Sequence, residues 1–359
     1  MKKVLFETHH LYYWPNFLPV VEELVKRKGY IINVSIPKRS SSLQENILSN
    51  SCFDMGIPFI TADTEEERIS MISKENYDMI IVGNIGQLKQ MITPETLVVM
   101  VYHGIGLKQS YYNDIDDRID IRSVESMERF NELKIHGHDN LSLTGFTKLD
   151  RLFTLSDDKV DEIRSMLKID STKKTLLYAP SFYPTSIDRI HHFLPELSKD
   201  HNVIIKLHGF SWEQKKYYYQ NIICQALAKE NQGIRLLSNE DYDIIPYYRI
   251  ADMLITDISS TMFEFLPMDR PIIQAQCYDL KLKHRIFKNR FWRKMDINRQ
   301  KDVDFAYQIS DPEDLLGRVY YAIDNMDEMS LKRIDASKNY LYKTDGKASH
   351  RLVDAIENY

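Results

Sequence analysis

Three short stretches of this sequence combine residue types that can bind phosphate or move protons. The first, TDISSTMFEF (256–265), ends an apolar run with an acid, two serines and a second acid, namely Asp257, Ser259, Ser260 and Glu264. Serine hydroxyls at a helix N-terminus are suited to binding an anion such as phosphate. Glu264 lies four residues after Ser260, so it would share that helix face and accept hydrogen bonds from ribose hydroxyls. The alternative is that Asp257 and the serines only cap the helix.

The other two stretches place a histidine at the end of an apolar run. In VIIKLHGF (203–210), Lys206 and His208 can both face a phosphate, the lysine as a point charge and the histidine as a hydrogen-bond donor or acid. A lone histidine at a strand end is, however, more often structural. In VVMVYHGIGLK (98–108), His103 follows the run, and two glycines let the backbone approach a ligand closely. Because imidazole titrates near neutral pH, His103 is a candidate general base.

Two successive series of apolar runs, separated by helical patterns, position these stretches. The first series comprises KKVLFET, IINVSIP, YDMIIVGN, TLVVMVYHG and LSLTG, and the second TLLYAPSF, NVIIKLHGF, IRLLS, DMLITD and PIIQAQ. Such alternation is typical of βαβ units, whose parallel strands are apolar throughout because helices cover both faces of the sheet. We predict an α/β fold of two Rossmann-like parallel-sheet domains facing a cleft, with ligands beyond the carboxyl ends of the strands.

The domain boundary is predicted from a change in pattern. The polar stretch 153–174 contains one charged helical pattern and no strand, which is typical of a connection between domains. We therefore place the boundary near residue 170, with an N-terminal domain over 1–170 and a second domain over 171–328. Residues 329–359 form a predicted helical tail that packs back on the N-terminal domain. Within the first domain, the apolar stripe around 17–28 predicts a helix that ends at Gly29.

Composition limits the class of protein. The chain has 359 residues, of which 43% are hydrophobic and 28% charged, so we expect an ordinary soluble globular protein. Its formal charge of −5 argues against a nucleic-acid binder driven by bulk electrostatics. The three widely spaced cysteines provide neither a disulfide framework nor a CxxC site, which favours a reducing cytoplasm. No apolar run approaches the roughly 18 residues that a membrane helix needs, so we expect any membrane contact to be peripheral.

One segment is strongly basic. Residues 281–301 contain nine Lys or Arg against one Asp, interleaved with Phe287, Phe291 and Trp292. Such a segment can bind a polyphosphate acceptor or an anionic membrane surface; the alternative is a solvated face whose aromatic rings turn to the core. The DYD triplet at 241–243 mimics a metal-binding motif, but it lies in a loop away from the phosphate motif, and we interpret it as a turn. We therefore predict no metal site.

Five motifs, in their order and spacing, resemble the CDP-glycerol glycerophosphotransferases of teichoic-acid and capsule synthesis. They are VYHGIGLK, TGFTKLDRLF, LLYAPSF, IIKLHGF and ADMLITDISSTMFEFLPMDRPII. The resemblance extends from about residue 95 to about residue 290 and is most specific around the serine pair. It implies a GT-B-like fold with the donor nucleotide on the C-terminal domain and the acceptor on the N-terminal domain. It also implies that no metal or cofactor is required.

The resemblance further implies a role for each matching residue. His103 would be the base that deprotonates the acceptor hydroxyl, and His208 with Lys206 would steady the donor pyrophosphate while CMP leaves. The serine pair would bind phosphate, Asp257 would order that loop, and Glu264 would hold the cytidine ribose. The implied donor-binding set is thus Lys206, Asp257, Ser259, Ser260 and Glu264. The candidate residues on the acceptor side are His9, His10 and Lys108.

This chain departs from the family pattern near both histidines. Tyr102 stands in place of the usual tryptophan before His103, and Gly209 in place of the usual proline after His208. The segment YAPSFYPTS (178–186) also lacks a characteristic arginine. The nucleotide can therefore be cytidine while the group that it carries differs.

The resemblance implies transfer of a polyol phosphate, glycerol phosphate or similar, from a CDP-activated donor to a hydroxyl of a cell-surface glycan or teichoic-acid-like acceptor, with release of CMP. The expected partners are this donor and a glycan or lipid-linked polymer acceptor, without nucleic acid. The expected location is the cytoplasm, with peripheral attachment to the inner face of the cell membrane. A GT-B glycosyltransferase that uses a CMP- or UDP-sugar is the main alternative, and a sugar-nucleotide 2-epimerase and a non-catalytic scaffold are the others.

Overall fold

The computed structural model describes residues 1–105, 118–287, 289 and 303–359, and these group into two compact units. Among the described residues, the first unit comprises 1–104, 118–153 and 339–359, and the second comprises 105, 154–287, 289 and 303–338.

The first unit is built on a parallel sheet with helices between its strands. The strands are β1 (Lys2–Glu7), β2 (Tyr30–Ser35), β3 (Phe59–Ile60), β4 (Met79–Val82), β5 (Leu97–Val101), β6 (Ile121–Val124) and β7 (Leu141–Leu143). Their spatial order is β3-β2-β1-β4-β5-β6-β7. The helices are α1 (Trp14–Arg27), α2 (Ser42–Asp54), α3 (Glu65–Glu75), α4 (Met127–Ile135), α5 (Asp150–Thr154) and, at the C-terminus, α16 (Ala348–Glu357).

The second unit repeats this arrangement. Its strands are β8 (Thr175–Ala179), β9 (Asn202–Ile205), β10 (Ile234–Leu236), β11 (Met253–Thr256), β12 (Ile272–Ala275) and β13 (Tyr307–Ile309), in the order β10-β9-β8-β11-β12-β13 and all parallel. Its helices are α6 (Asp157–Met166), α7 (Ile187–Ile190), α8 (Leu194–Asp200), α9 (Gly209–Glu213), α10 (Tyr219–Glu230), α11 (Ile245–Ile250), α12 (Thr261–Glu264), α13 (Leu282–Ile286), α14 (Leu315–Asp324) and α15 (Ser330–Tyr340). In the part of the chain that the structure describes, no helix is both long and apolar enough to cross a membrane.

Most of the strands form in runs of mainly apolar residues, many of them β-branched. All residues of β4, β9 and β11 are buried, as expected for strands that are covered on both faces. The predicted helix after β1 is also present: α1 ends at Arg27, and Lys28 and Gly29 then adopt positive φ angles of 62° and 83°. Gly29 takes this conformation without the strain that a side chain would add.

The structure confirms the predicted fold class of two parallel-sheet α/β domains. Three of its strands were not predicted. β3 has only two residues, β13 is short, and β6 contains Arg122 and Ser123 at its centre. Arg122 is fully buried, although its charge makes the segment resemble a loop in the sequence.

The two units divide between Phe153 and Thr154, and not near residue 170. The physical reason lies in α6, which was predicted to be part of a connection. Arg249 of α11 donates from Nη2 to Asp157 Oδ1 (2.5 Å) and from Nη1 to the Leu155 carbonyl (3.1 Å). These bonds attach the start of α6 to the body of the second unit.

The predicted tail is also divided. Residues 339–359 belong to the first unit, where α16 packs on α1, whereas most of α15 belongs to the second unit. Arg333 of α15 donates from Nε to Asp269 Oδ1 (2.9 Å) and from Nη2 to the Met326 carbonyl (2.9 Å), and its side chain is buried. The predicted C-terminal segment thus contributes a helix to each unit.

Candidate functional site

The predicted donor-binding residues lie at the carboxyl ends of adjacent strands in the second unit. Lys206 and His208 follow β9, residues 181–186 follow β8, and Asp257 follows β11. We call residues 181–186 the β8 loop. β8 lies between β9 and β11, and the order of strands along the chain reverses there. In open α/β sheets, ligands bind in the crevice outside such a reversal.

Asp257 is fully buried and holds the β8 loop. Its Oδ1 accepts a hydrogen bond from the Ser181 backbone N–H (2.7 Å), and Oδ2 accepts from the backbone N–H (2.9 Å) and the hydroxyl (3.1 Å) of Ser186. Burial raises the pKa of Asp257 to about 7, while these hydrogen bonds oppose the rise. Asp257 was expected to order the serine-pair loop; its carboxylate orders the β8 loop, while its backbone carbonyl accepts from the Ser259 N–H (3.0 Å).

Glu264 and Ser260 share one helix face, as their spacing predicted, and their side chains also contact each other. Ser260 Oγ donates to Glu264 Oε1 (2.8 Å), and Tyr248 Oη donates to Glu264 Oε2 (3.0 Å). Glu264 is 1% exposed, whereas Ser260 is half-buried. These hydrogen bonds help to fix the orientation of this carboxylate, which lies at the end of the short helix α12 after β11. A carboxylate fixed in this way is a preorganised acceptor for further hydroxyl groups.

The predicted helix after the serine pair is short. α12 ends at Glu264, one turn after it begins at Thr261. Ser259 Oγ accepts from the Thr261 N–H (3.3 Å), but the Ser260 hydroxyl is directed to Glu264 and does not cap the helix. The alternative in which both serines only cap the helix therefore does not describe Ser260.

His208 has one nitrogen committed to the backbone. Its Nδ1 accepts a hydrogen bond from the Phe210 N–H (3.1 Å), which caps α9. An accepting Nδ1 carries no proton, so Nε2 bears the proton of the neutral ring and can donate to a phosphate oxygen. The ring also packs on Phe182 of the β8 loop, with centroids 4.7 Å apart. Lys206 Nζ donates to the Leu207 carbonyl (3.1 Å) on the same strand end.

The first unit brings His10 and His103 into one aromatic cluster. His10 follows β1 and His103 follows β5, and β4 lies between these two strands. The His103 ring is 4.3 Å from the Tyr13 ring and 5.1 Å from the Tyr12 ring, which is stacked on His10 at 5.1 Å. The sequence reasoning missed both tyrosines, although they follow the strand-end histidine pair after a single residue, Leu11, and could have been considered with it.

His9 differs from His10 in that it is 2% exposed. Neither of its ring nitrogens hydrogen-bonds to another described residue. A Cβ atom at Gly86 would lie 2.1 Å from His9 Nε2, so this position in the loop after β4 requires glycine. Burial lowers the pKa of His9, and burial together with the charges of Arg39 and His9 lowers the pKa of His10 to about 4. Both rings are therefore neutral near pH 7.

Tyr102, which replaces the family tryptophan, packs within the first unit. Its hydroxyl accepts from Arg122 Nη1 (3.2 Å), and both side chains are buried. Arg122 Nη1 also lies 3.2 Å from Met100 Sδ. A tyrosine at this position thus provides a hydrogen-bond acceptor for a buried arginine, which a tryptophan would not provide.

Two predictions fall wholly or partly outside the described residues. Lys108 lies outside them, as does most of the basic segment 281–301. Within the described part of that segment, Leu282 is 73% exposed, Ile286 66% and Phe287 62%. Phe287 therefore does not turn to the core. His284 Nδ1 and Tyr183 Oη are 2.5 Å apart, which connects α13 to the β8 loop.

The described residues contain no group of three or more His, Cys, Asp or Glu that could hold a metal ion. The DYD triplet lies in the loop before α11, directly after a turn at 239–240 and not within it. Asp241 accepts from the Ser238 hydroxyl (2.8 Å) and from Tyr247 Oη (2.6 Å), and Asp243 accepts from the Ile245 N–H (3.0 Å). Its carboxylates are thus engaged by the polypeptide.

The chain is similar to curated proteins of teichoic acid synthesis. It is 29% identical over 199 residues to a teichoic acid ribitol-phosphate primase of Bacillus spizizenii, with 52% of this chain and 44% of the relative covered. It is 25% identical over 237 residues to a teichoic acid poly(glycerol phosphate) polymerase of Staphylococcus epidermidis, with 59% and 29% covered. It is 24% identical over 246 residues to a teichoic acid glycerol-phosphate primase of Bacillus spizizenii, with 60% of each covered. The match thus spans less than two thirds of each relative.

Solved structures share the fold. A variant of the wall teichoic acid polymerase TagF soaked with CDPG superposes with a TM-score of 0.71 at 18% identity, over 99% of this chain and 88% of that one. The UDP-GlcNAc 2-epimerase of Neisseria meningitidis, bound to UDP-GlcNAc, superposes with a TM-score of 0.65 at 14% identity, over 99% of this chain and 100% of that one. These likenesses confirm the predicted GT-B-like fold class.

A family model identifies the chain more directly. The model for CDP-glycerol:poly(glycerophosphate) glycerophosphotransferases matches residues 93–358. This range includes all the motifs from VYHGIGLK to the serine pair and continues to α16. Because the match covers well over half of the chain, the protein belongs to the CDP-glycerol:poly(glycerophosphate) glycerophosphotransferase family.

Proposed function

We propose that this protein transfers a polyol phosphate from a CDP-activated donor to a hydroxyl of a teichoic-acid-like or other cell-surface glycan acceptor and releases CMP. Family membership supports the reaction class. The observation that carries the proposal is the set of phosphate- and ribose-binding groups at the ends of β9 and β11. These groups are Lys206, His208, Ser259, Ser260 and Glu264.

The donor side of the proposed reaction is electrostatic. Phosphoryl transfer spreads charge over the phosphate oxygens, and the protein mainly positions the reactants and stabilises that charge. We assign Lys206 as a point charge on the pyrophosphate and His208 Nε2–H as a hydrogen-bond donor to it. The serine hydroxyls bind phosphate oxygens, and Glu264 accepts hydrogen bonds from the ribose. The Lys206 charge and these hydrogen-bond donors would stabilise the pyrophosphate, and we propose that no metal is obligatory.

The acceptor side of the proposal rests on His103. As the acceptor oxygen attacks the β-phosphorus, a new O–P bond forms, the bond from that phosphorus to the CMP oxygen breaks, and His103 takes the acceptor proton. Histidine is suited to this role because a neutral imidazole nitrogen accepts a proton readily. His10 and Tyr12 line the same cluster and contribute to acceptor binding. Lys108 is included on the basis of its place in the motif.

We also propose a cytoplasmic enzyme that attaches to the inner face of the membrane. Cys52, Cys224 and Cys277 are free thiols, which suits a reducing compartment. In the described part of the basic segment, Leu282 and Ile286 are exposed beside basic side chains, a combination suited to an anionic lipid surface.

Calorimetric titration tests the donor assignment. Purified protein is titrated with CDP-glycerol, CDP-ribitol, a CMP-sugar and UDP-GlcNAc, and Glu264→Ala is titrated in parallel. We expect a CDP-polyol to bind and the variant to lose most of that affinity. Selective binding of a CMP-sugar or UDP-sugar would replace phosphotransfer with glycosyl transfer or epimerisation, and the absence of nucleotide binding would favour a scaffold.

A further inference from the structure

Tyr248 is a buried residue of α11 that no motif identified. Its side chain is fully buried, its ring packs edge-on against Phe265 with centroids 5.4 Å apart, and its hydroxyl donates to Glu264 Oε2 (3.0 Å). Burial, reinforced by the charge of Glu264, raises the pKa of Tyr248 well above its ordinary value. The phenol therefore stays protonated and acts as a donor to the carboxylate.

The two hydroxyls on Glu264 differ in their access to solvent. Tyr248 is on the interior side and fully buried, whereas Ser260 is half-buried and belongs to the phosphate-binding pair. An incoming ribose hydroxyl can replace the Ser260 hydroxyl at Oε1, and Ser260 can then turn to a phosphate oxygen. The Tyr248 hydroxyl is fully buried, and a buried hydroxyl that loses its acceptor bears the full cost of desolvation. The bond from Tyr248 is therefore the fixed one, and the bond from Ser260 is the exchangeable one.

We infer that Tyr248 is a positioning residue that, through Glu264, selects ribonucleotide donors over deoxyribonucleotide donors. The inference rests on the proposed function, which makes Glu264 the acceptor of ribose hydroxyls. Tyr248 does not contact the donor; it holds the carboxylate plane so that Oε1 is directed at the sugar. Without that hydroxyl the carboxylate loses one of the contacts that set its orientation, and it becomes a less preorganised acceptor.

Tyr248→Phe is the matching variant, since it removes the hydroxyl and keeps the ring. Both the wild type and the variant are titrated with CDP-glycerol and with its 2′-deoxy and 3′-deoxy analogues. We expect the variant to bind CDP-glycerol about 10-fold more weakly, as for loss of a hydrogen bond to a charged group. For the deoxy analogue that lacks the hydroxyl held by Glu264, we expect the Kd of the variant to differ from that of the wild type by less than about twofold. Equal weakening for all three ligands would show that Tyr248 is merely structural and would overturn the inference.

Two further variants serve as comparisons, so that the inference does not depend on Tyr248→Phe alone. Tyr307→Phe removes another tyrosine–carboxylate hydrogen bond, to Glu328, outside the site, and we expect unchanged affinities. Ser260→Ala should weaken ribose and deoxyribose donors alike and keep the discrimination between them. Loss of that discrimination in Ser260→Ala would show that Ser260, and not Tyr248, holds Glu264, and would overturn the inference.

The wild-type titrations separate this inference from the proposed function. If the wild type binds a CMP- or UDP-sugar and not a CDP-polyol, the proposed function fails, and the ribose and deoxyribose forms of the bound nucleotide then test Tyr248 in the same way. If the wild type binds none of these nucleotides, both fail.

Discussion

His208 has a structural role as a helix cap and a proposed chemical role as a hydrogen-bond donor. Nδ1 accepts from the Phe210 N–H and caps α9, so the proton of the neutral ring is on Nε2. The Phe182 ring packs against the imidazole and restricts its orientation. A substitution can separate the two tasks, because an asparagine oxygen can replace Nδ1 as the cap but supplies no group at the position of Nε2.

We expect His208→Asn to retain stability and lose turnover, and His208→Ala to lose both. Loss of a helix cap costs about 1 kcal/mol, so the alanine variant should show a lower free energy of unfolding. Turnover should fall on the order of 10²-fold or more in both, as when an electrostatic donor is removed. Urea unfolding and an assay of CMP release provide the two measurements. Near-normal turnover in the asparagine variant would contradict the role assigned to Nε2.

His103 is expected to affect chemistry and not donor binding. His103→Asn should lower the rate of CMP release by about 10²- to 10⁴-fold, the usual contribution of a general base. Its donor Kd should change by less than about twofold, because the donor-binding groups belong to the other unit. Turnover and calorimetric affinity for CDP-glycerol are measured on the same preparation. A loss of donor affinity would show that the role of His103 is misassigned.

Sequence reasoning could predict contacts within this site only where the two residues are close in sequence. The hydrogen bond between Ser260 and Glu264 was predictable because it joins residues i and i+4. The partners Tyr248, Ser181 and Ser186 were not, because each reaches the site from a different element. Whether a polar residue near a motif is buried and paired is decided by the tertiary fold, which a single sequence pattern does not contain.

At the scale of elements, one buried carboxylate binds both ends of the β8 loop. Three hydrogen bonds from Ser181 and Ser186 converge on Asp257. The same loop carries Phe182, whose ring packs on His208. A change in the protonation state of Asp257 should therefore affect the loop that packs against the proposed donor site.

The stability of the protein should therefore depend on pH through Asp257. Burial raises its pKa to about 7 in the folded state, above the value of about 4 expected in the unfolded chain. The folded state then holds the proton more tightly, so this contribution is fully present below about pH 4 and is lost as the pH rises to about 7. Asp257→Asn does not titrate. The free energy of unfolding of the wild type minus that of the variant should fall between about pH 5 and about pH 8. A constant difference, measured by urea unfolding across that range, would contradict the raised pKa.

The C-terminal helix α16 is attached to the first unit by a buried cap. Asp150 accepts from the Ala348 N–H (2.8 Å) and from the N–H (2.7 Å) and hydroxyl (2.5 Å) of Ser349. At the other end of the helix, Arg27 pairs with Asp354 and Glu357. The C-terminal helix thus packs against α1, although the two helices are far apart in sequence.

Asp150→Ala should lower the free energy of unfolding by about 2 kcal/mol, since it removes a cap and leaves buried N–H groups without an acceptor. Lys338→Ala removes an exposed ion pair with Asp335 and serves as the control, with an expected change below about 0.5 kcal/mol. Equal effects of the two substitutions in urea unfolding would show that α16 contributes little to the first unit.

Elements were predictable where the pattern was strong and not where a polar residue interrupts it. β4, β9 and β11 were recognised because all their residues are buried and, apart from Asn202 at the start of β9 and Thr256 at the end of β11, apolar. β6 was missed because Arg122 lies at its centre, and the sequence does not reveal that Met100 and Tyr102 neighbour its guanidinium.

At the scale of the whole molecule, each of the two parallel α/β units carries candidate site residues at one edge of its sheet. In each, the candidate residues follow strands beside the reversal in strand order: β1 and β5 in the first unit, and β9 and β11 in the second. The alternation of apolar runs was sufficient to predict this class of fold. It was not sufficient to place the boundary, because the charged helix α6 is attached to the second unit by the tertiary contacts of Arg249.

The central claim is that the transferred group is a polyol phosphate and that the bond to CMP is the one that breaks. CDP-glycerol labelled at the β-phosphorus is incubated with the protein and an acceptor primed with glycerol phosphate, and the label is followed together with free CMP. The account predicts that the label enters the acceptor as a phosphodiester, with one CMP released for each label transferred. Unchanged CDP-glycerol under conditions in which a CMP- or UDP-sugar donates its sugar to the acceptor would contradict it.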